Sequence, residues 1–186
     1  MNNEVLNVIK RRRSVRAFLP KQIGSEELSA IVEAGRYAPN GGGEVWHFTV
    51  IQNKGSLEEL NRLAKQYAAT SGFLWLEDLG RNAAFYSVYH APTVILVSGD
   101  EQGVCSEADT SAATQNLLLA AESFGIASCW GYFVTQAFLT EEGKAMRGKL
   151  EIPEGYKVYS SVMLGYPAGD VPPPPERKPD TVTYIR

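Results

Sequence analysis

Cysteine and histidine are scarce in this chain, with two of each in 186 residues. Cys105 and Cys129 are too far apart for a metal-ligand or iron–sulfur spacing, so no metal site is expected. They read as two reduced thiols of a cytoplasmic protein. His47 and His90 are isolated among apolar residues and read as structural histidines. Neither Gly-x-Ser-x-Gly nor His-Glu-x-x-His occurs, which leaves the serine-hydrolase and zinc-protease readings without support. There is also no Gly-x-Gly-x-x-Gly and no phosphate-binding loop ending in lysine. A basic excess is missing too: 18 Lys and Arg stand against 21 Asp and Glu, a net charge of −3. Without surplus positive charge the chain cannot neutralise many phosphates, which argues against general nucleic-acid binding. No apolar run approaches the about 18 residues of a membrane span, and the first residues do not form a secretion signal.

Arginine is present at high local density. Arg11, Arg12, Arg13 and Arg16 surround Ser14 within six residues at the end of a short apolar-periodic segment. A guanidinium is a planar fork that matches phosphate oxygens two at a time. This group is either an anion clamp or a solvated basic turn. In a mildly acidic protein, such concentration suits one local anion and not a polyanion.

The hydrophobic pattern describes a single domain over 1–186. Residues 3–12 read as a first helix, with Val5, Leu6 and Ile9 on its inner side. A second begins at Ser25 as N-cap, with Leu28, Ile31, Val32 and Ala34 as its inner stripe. Trp46 to Ile51 reads as a strand and Gly55-Ser56 opens a third helix. Residues 70–89 read as a loop and helix able to move. The apolar run Thr93 to Val97 suits a strand buried on both faces. Residues 108–124 form the clearest helix, apolar on most sides, expected at the centre of the fold and stopped by Gly125. Residues 126–132 read as a strand or extended turn, 140–150 as a helix and 158–164 as a strand.

Pro172 to Pro175 must run extended. The β-prone segment 181–185 follows it. A strand on a stiff terminal tether suggests that 168–186 is an arm reaching a second subunit, the alternative being a disordered tail.

Four further features could carry chemistry. Asn40, Gly42 and Gly43 lie in a glycine-rich loop that is either a flexible turn or a close backbone approach to a ligand. Cys129, Trp130, Gly131 and Tyr132 could wall a planar site or belong to the core. Arg177 and Lys178 on the arm either close a phosphate site or are solvated. Phe73, Trp75, Phe85, Tyr86 and Tyr89 either line a pocket for a planar molecule or pack under a loop.

The order of these motifs resembles the FMN-dependent nitroreductases. The resemblance rests on Arg12-Arg13-Ser14-Val15-Arg16 after the first helix and on Ala38-Pro39 leading to Trp46-His47-Phe48. It continues with Ala91-Pro92 before a buried strand, the central helix running into Gly125-Ile126-Ala127-Ser128-Cys129-Trp130-Gly131, and Leu164-Gly165-Tyr166-Pro167 before a basic tail. It implies an α+β, three-layer fold. A central mixed or antiparallel sheet is flanked by helices, and a carboxyl-terminal strand is swapped onto the partner of a homodimer.

It further implies FMN, with Arg12, Arg13 and Ser14 near the phosphate and ribityl chain and Arg16 near the pyrimidine edge. Cys129 to Tyr132 would lie against the ring, with a backbone N–H of Gly131 or Tyr132 facing N5. Arg177, with Lys178, would match the terminal phosphate contact. The activity implied is hydride transfer from NAD(P)H to flavin and on to a small acceptor by ping-pong kinetics, with no side chain assigned as proton donor. A non-catalytic flavin-binding sensor, or another flavin chemistry such as reductive dehalogenation, stands as the alternative. One departure is visible. Where many relatives carry an Asn and Gln-Pro before the tryptophan, this chain has Gly41-Gly42-Gly43-Glu44. A glycine backbone, Asn40 or Glu44 must then take the place of that Asn.

Overall fold

A computed structural model describes residues 3–186. Its helices are α1 (Glu4–Arg11), α2 (Ser25–Arg36), α3 (Lys54–Ala68), α4 (Leu74–Arg81), α5 (Ser106–Ser123) and α6 (Glu141–Lys149). Its strands are β1 (Trp46–Ile51), β2 (Thr93–Asp100), β3 (Ala127–Gly131) and β4 (Tyr156–Gly165). A 3₁₀ segment, Phe133–Leu139, joins β3 to α6 and has no clear signal in the sequence. Side-chain caps start three helices: Asn3 accepts from the Leu6 N–H, Asn53 from the Ser56 N–H and Thr140 from the Gly143 N–H. Each satisfies a donor that the first turn leaves open. The α2 expectation needs correcting. Gly24 occupies the cap position and Ser25 is the first helical residue, with no side-chain cap bond.

The sheet is wholly antiparallel in the order β1-β2-β4-β3. Its one parallel contact is an isolated bridge that sets Ser14 beside Ser128 on the outer edge of β3. β2 is buried along almost its whole length, as its unbroken apolar run requires. Its side chains alternate between two cores. Val94 and Leu96 pack with α3, the 3₁₀ segment and α6 on one face. Ile95 and Val97 pack with Ile31 of α2 and Leu117, Leu118 and Ala121 of α5 on the other. This makes three layers, with the sheet in the middle.

Two expectations about packing change. Val8 is the buried residue of α1, while Val5, Leu6 and Ile9 are exposed. α5 lies on one face of the sheet and not at the centre. Ser106, Asp109, Thr110, Ala113, Thr114, Leu117, Leu118 and Ala121 face inward, and its other side stays partly open. Gly125, with φ of +70°, ends α5 in the left-handed conformation that glycine adopts without a Cβ clash. Residues 168–186 contain no helix or strand and are exposed, so 181–185 form no strand within the chain.

Candidate functional site

The outer edge of β3 collects the first group of candidate residues. Arg12 caps α1, where its N–H donates to the Val8 carbonyl. The chain then turns into the bridge with β3, held by the Val15 N–H on the Ser128 carbonyl at 2.9 Å. Through this bridge Arg12, Ser14 and Arg16 come to Cys129. Burial pushes the Cys129 thiol up, against the opposing pull of the Arg16 and Arg12 guanidiniums and a hydrogen bond with Ser14. A neutral thiol is therefore the form that the site holds.

The arginines divide in role. Arg11 pairs with Glu122 at the end of α5, 2.6 Å apart, which makes it a surface residue tying α1 to α5. Arg13 is buried and donates from Nη2 to the Lys10 carbonyl. Arg12 Nη1, Arg13 Nε and Ser128 Oγ are buried polar atoms with no hydrogen-bond partner. Unmet buried donors cost about 1–3 kcal/mol each, more when charged, and a bound anion would relieve that cost. Guanidinium donors and serine hydroxyls are the groups that fit a phosphate. Arg16 is exposed, with its guanidinium 5.8 Å from the Tyr89 ring centroid.

Tyr89 leads to the second group. A cavity of about 570 Å³ is lined by Phe73, Trp75, Leu76, Leu79, Phe85, Tyr89, Tyr132, Phe133 and Gln136. Four of the five aromatics expected in a pocket line it together. Tyr86 does not. Its ring stacks on His90, with centroids 3.9 Å apart and planes 13° from parallel. His90 is exposed, so it is no core histidine. α4 carries Phe73 to Leu79 over the cavity and is anchored by Lys65, whose Nζ donates to the carbonyls of Asn82 and Phe85 at 2.6 and 2.8 Å. No charged side chain lines the cavity. Tyr132 is exposed as part of this lining and Trp130 is also exposed, while Cys129 and Gly131 are buried. Leu76, Leu79 and Gln136 carry no distinguishing pattern in the sequence and become lining residues only through the fold.

The remaining candidates lie elsewhere. The Gly41 N–H donates to Asp109 at the start of α5, and the Gly43 N–H donates to the Asn40 side-chain oxygen. About 20 Å of helix separates Asp109 from Glu122 beside the arginines, at 1.5 Å per residue. Asn40, Gly42 and Gly43 are thus not brought to Arg12 to Arg16 of their own chain. Arg177 and Lys178 are exposed on the arm. Among the described residues no group of His, Cys, Asp and Glu could hold a metal ion, and no helix is long and apolar enough to cross a membrane.

Comparison with known proteins places this geometry. The model of the nitroreductase family matches residues 9–166. A crystal structure of a nitroreductase with bound FMN from Bacteroides fragilis superposes with a TM-score of 0.94, at 42% identity over 100% of both chains. A protein of Archaeoglobus fulgidus with the provisional name NADH dehydrogenase/NAD(P)H nitroreductase is 34% identical over 88% of this chain and 86% of its own. An iodotyrosine deiodinase of Nematostella vectensis is 24% identical over 92% of this chain and 70% of its own.

Proposed function

This chain belongs to the nitroreductase family, and from that premise we propose that it is an FMN-dependent oxidoreductase of the cytoplasm. It takes a hydride from NAD(P)H and passes it to a small planar acceptor, a nitroaromatic or quinone, with donor and acceptor using one cavity in turn. The observation that carries the reading is that Arg12 and Arg13 each keep a buried guanidinium nitrogen with no partner in the chain, in the segment that bridges to β3 through Ser14 and Ser128. When bound, FMN supplies the hydride chemistry, and the protein supplies position and electrostatics.

Arg12, Arg13 and Ser14 hold the phosphate end. Arg16 supplies a fixed positive charge, and Tyr89 packs against it. A cation there favours whatever negative charge gathers on reduction. Cys129 to Tyr132 back the ring. The aromatic cavity receives nicotinamide and acceptor by stacking.

The single chain does not bring the 40–43 loop to its own arginines. A homodimer accounts for this, with the loop of each copy serving the other copy's site and Arg177 and Lys178 arriving on the partner's arm. The arm also has a place to add its strand. The outer edge of β3 is taken by Ser14 and Val15, whereas a groove of about 380 Å³ runs along the open edge of β1, past His47 to Asn53.

The cavity lining bears on the alternatives. An amino-acid zwitterion finds no ion partner there, so a neutral acceptor suits it better than a halotyrosine. Anaerobic titration tests the proposal. The yellow protein should be bleached by NADH or NADPH and should regain colour with a quinone or nitroarene. Protein that takes up FMN but is bleached by neither nucleotide supports the sensor reading instead.

A further inference from the structure

We propose that Ser161 is a positioning residue that aims the Tyr132 N–H at the flavin. The hydroxyl of Ser161 is fully buried in β4 and donates to the Gly131 carbonyl at 2.7 Å. Gly131 and Ser161 are opposite each other in the β3–β4 ladder. The Gly131 carbonyl belongs to the same planar unit as the Tyr132 N–H, and in a trans peptide the two point in opposite directions. With the oxygen held toward β4, the N–H faces the outer edge of β3.

Strand alternation leads independently to the same direction. The Ser128 carbonyl faces outward, because it accepts from Val15. Successive carbonyls change sides, so Cys129 faces β4, Trp130 faces outward and Gly131 faces β4 again. The outer edge is the one that Ser14 and Val15 occupy at the Ser14–Ser128 bridge. The Tyr132 N–H therefore emerges on that edge, and it donates to no acceptor among the described residues. Of the two amides that the family resemblance leaves open, Gly131 or Tyr132, this direction points to Tyr132.

Gly131 makes this possible by its closeness to β4. A Cβ there would meet Met163 Cε at 2.3 Å and Ser161 Oγ at 2.7 Å. A larger residue would have to displace Met163 and the Ser161 hydroxyl, and so disturbs the bond.

This inference rests on the flavin reading above, so the experiment separates the two. Backbone amide exchange at Tyr132 is measured by NMR, first without FMN and then with it. In the FMN-loaded protein Ser161→Ala should speed Tyr132 exchange at least tenfold. Ser161→Cys, which keeps a weak donor, should fall between it and the parent. Ser160→Ala removes a neighbouring buried hydroxyl, whose partner is Thr114 at 2.6 Å, and should leave Tyr132 unchanged. In the parent protein FMN should slow Tyr132 exchange. In Ser161→Ala the ratio of affinities for oxidised and reduced FMN should also move about tenfold, a potential change of about 30 mV for two electrons. Equal Tyr132 exchange in the FMN-loaded parent and the FMN-loaded Ser161→Ala protein overturns the positioning role. Bound FMN that leaves the parent's Tyr132 amide untouched overturns the flavin reading of this edge.

Discussion

Arg16 and Tyr89 connect the two halves of the site: the guanidinium of the basic segment lies 5.8 Å from the centroid of a ring that walls the aromatic cavity. A backbone irregularity places that ring. Tyr89 and His90 are consecutive non-glycine residues in the left-handed region, with φ of 52° and 54°. Such residues cost about 1–3 kcal/mol each and persist where surrounding contacts hold them. The turn sends Tyr89 toward Arg16 and Phe85 and leaves His90 stacked on Tyr86, outside the cavity.

Arg16→Ala should keep bound FMN and slow its reduction by NAD(P)H about tenfold or more, the scale expected when one preorganised charge is lost. Stopped-flow absorbance measures the rate. An unchanged rate with FMN bound would remove Arg16 from any tuning role.

Arg12→Ala should weaken FMN binding about tenfold or more, since a charge-assisted hydrogen bond contributes about 1.5–3 kcal/mol. Arg13→Ala should do the same and also lower the melting temperature, because Arg13 is buried and ties to the Lys10 carbonyl. Titration by flavin fluorescence and thermal denaturation separate these effects. Arg11→Ala, which breaks only the exposed pair with Glu122, should leave affinity within twofold.

Trp75→Ala and Phe85→Ala should raise KM for a quinone about three- to tenfold, from the about 0.5–1.5 kcal/mol of a ring contact. Tyr86→Leu serves as the control, since Tyr86 lies outside the cavity. Steady-state kinetics in which Tyr86→Leu raises KM as much as Trp75→Ala would count against the assigned lining.

Cys129 should resist thiol reagents at neutral pH, while exposed Cys105 labels at once. Burial raises the Cys129 thiol, so the folded state holds its proton more tightly than the unfolded chain does. That contribution to stability is fully present below the ordinary thiol value of about 8.5 and is lost as pH rises through the folded value. Urea denaturation from pH 7 to 10 should show this decline in the parent and a smaller one in Cys129→Ala.

Deleting residues 171–186 should lower both dimer stability and FMN affinity, because the arm carries the strand and Arg177 and Lys178 together. Analytical ultracentrifugation with and without FMN reads both. A truncated protein that remains dimeric and binds FMN as tightly as the full chain would leave the arm without either role.

The sequence by itself determined what local rules can decide. The turn after α1, the doubly buried β2, the stop at Gly125 and the extended Pro172–Pro175 run follow from periodicity, glycine conformation and the fixed φ of proline. The family was legible because several loose motifs kept their order along the chain. Tertiary structure alone decided which residues meet. Only the packing of α1 shows that Val8 is inside and Val5, Leu6 and Ile9 are outside, because a short helix can present either side to a neighbour. Only the strained turn at Tyr89 and His90 separates Tyr89 from Tyr86, and only the β3–β4 register finds Ser161. Hydrophobic patterning is a property of neighbours in sequence. The direction of one N–H, or the distance of the 40–43 loop from Arg12, depends on how separate elements come together.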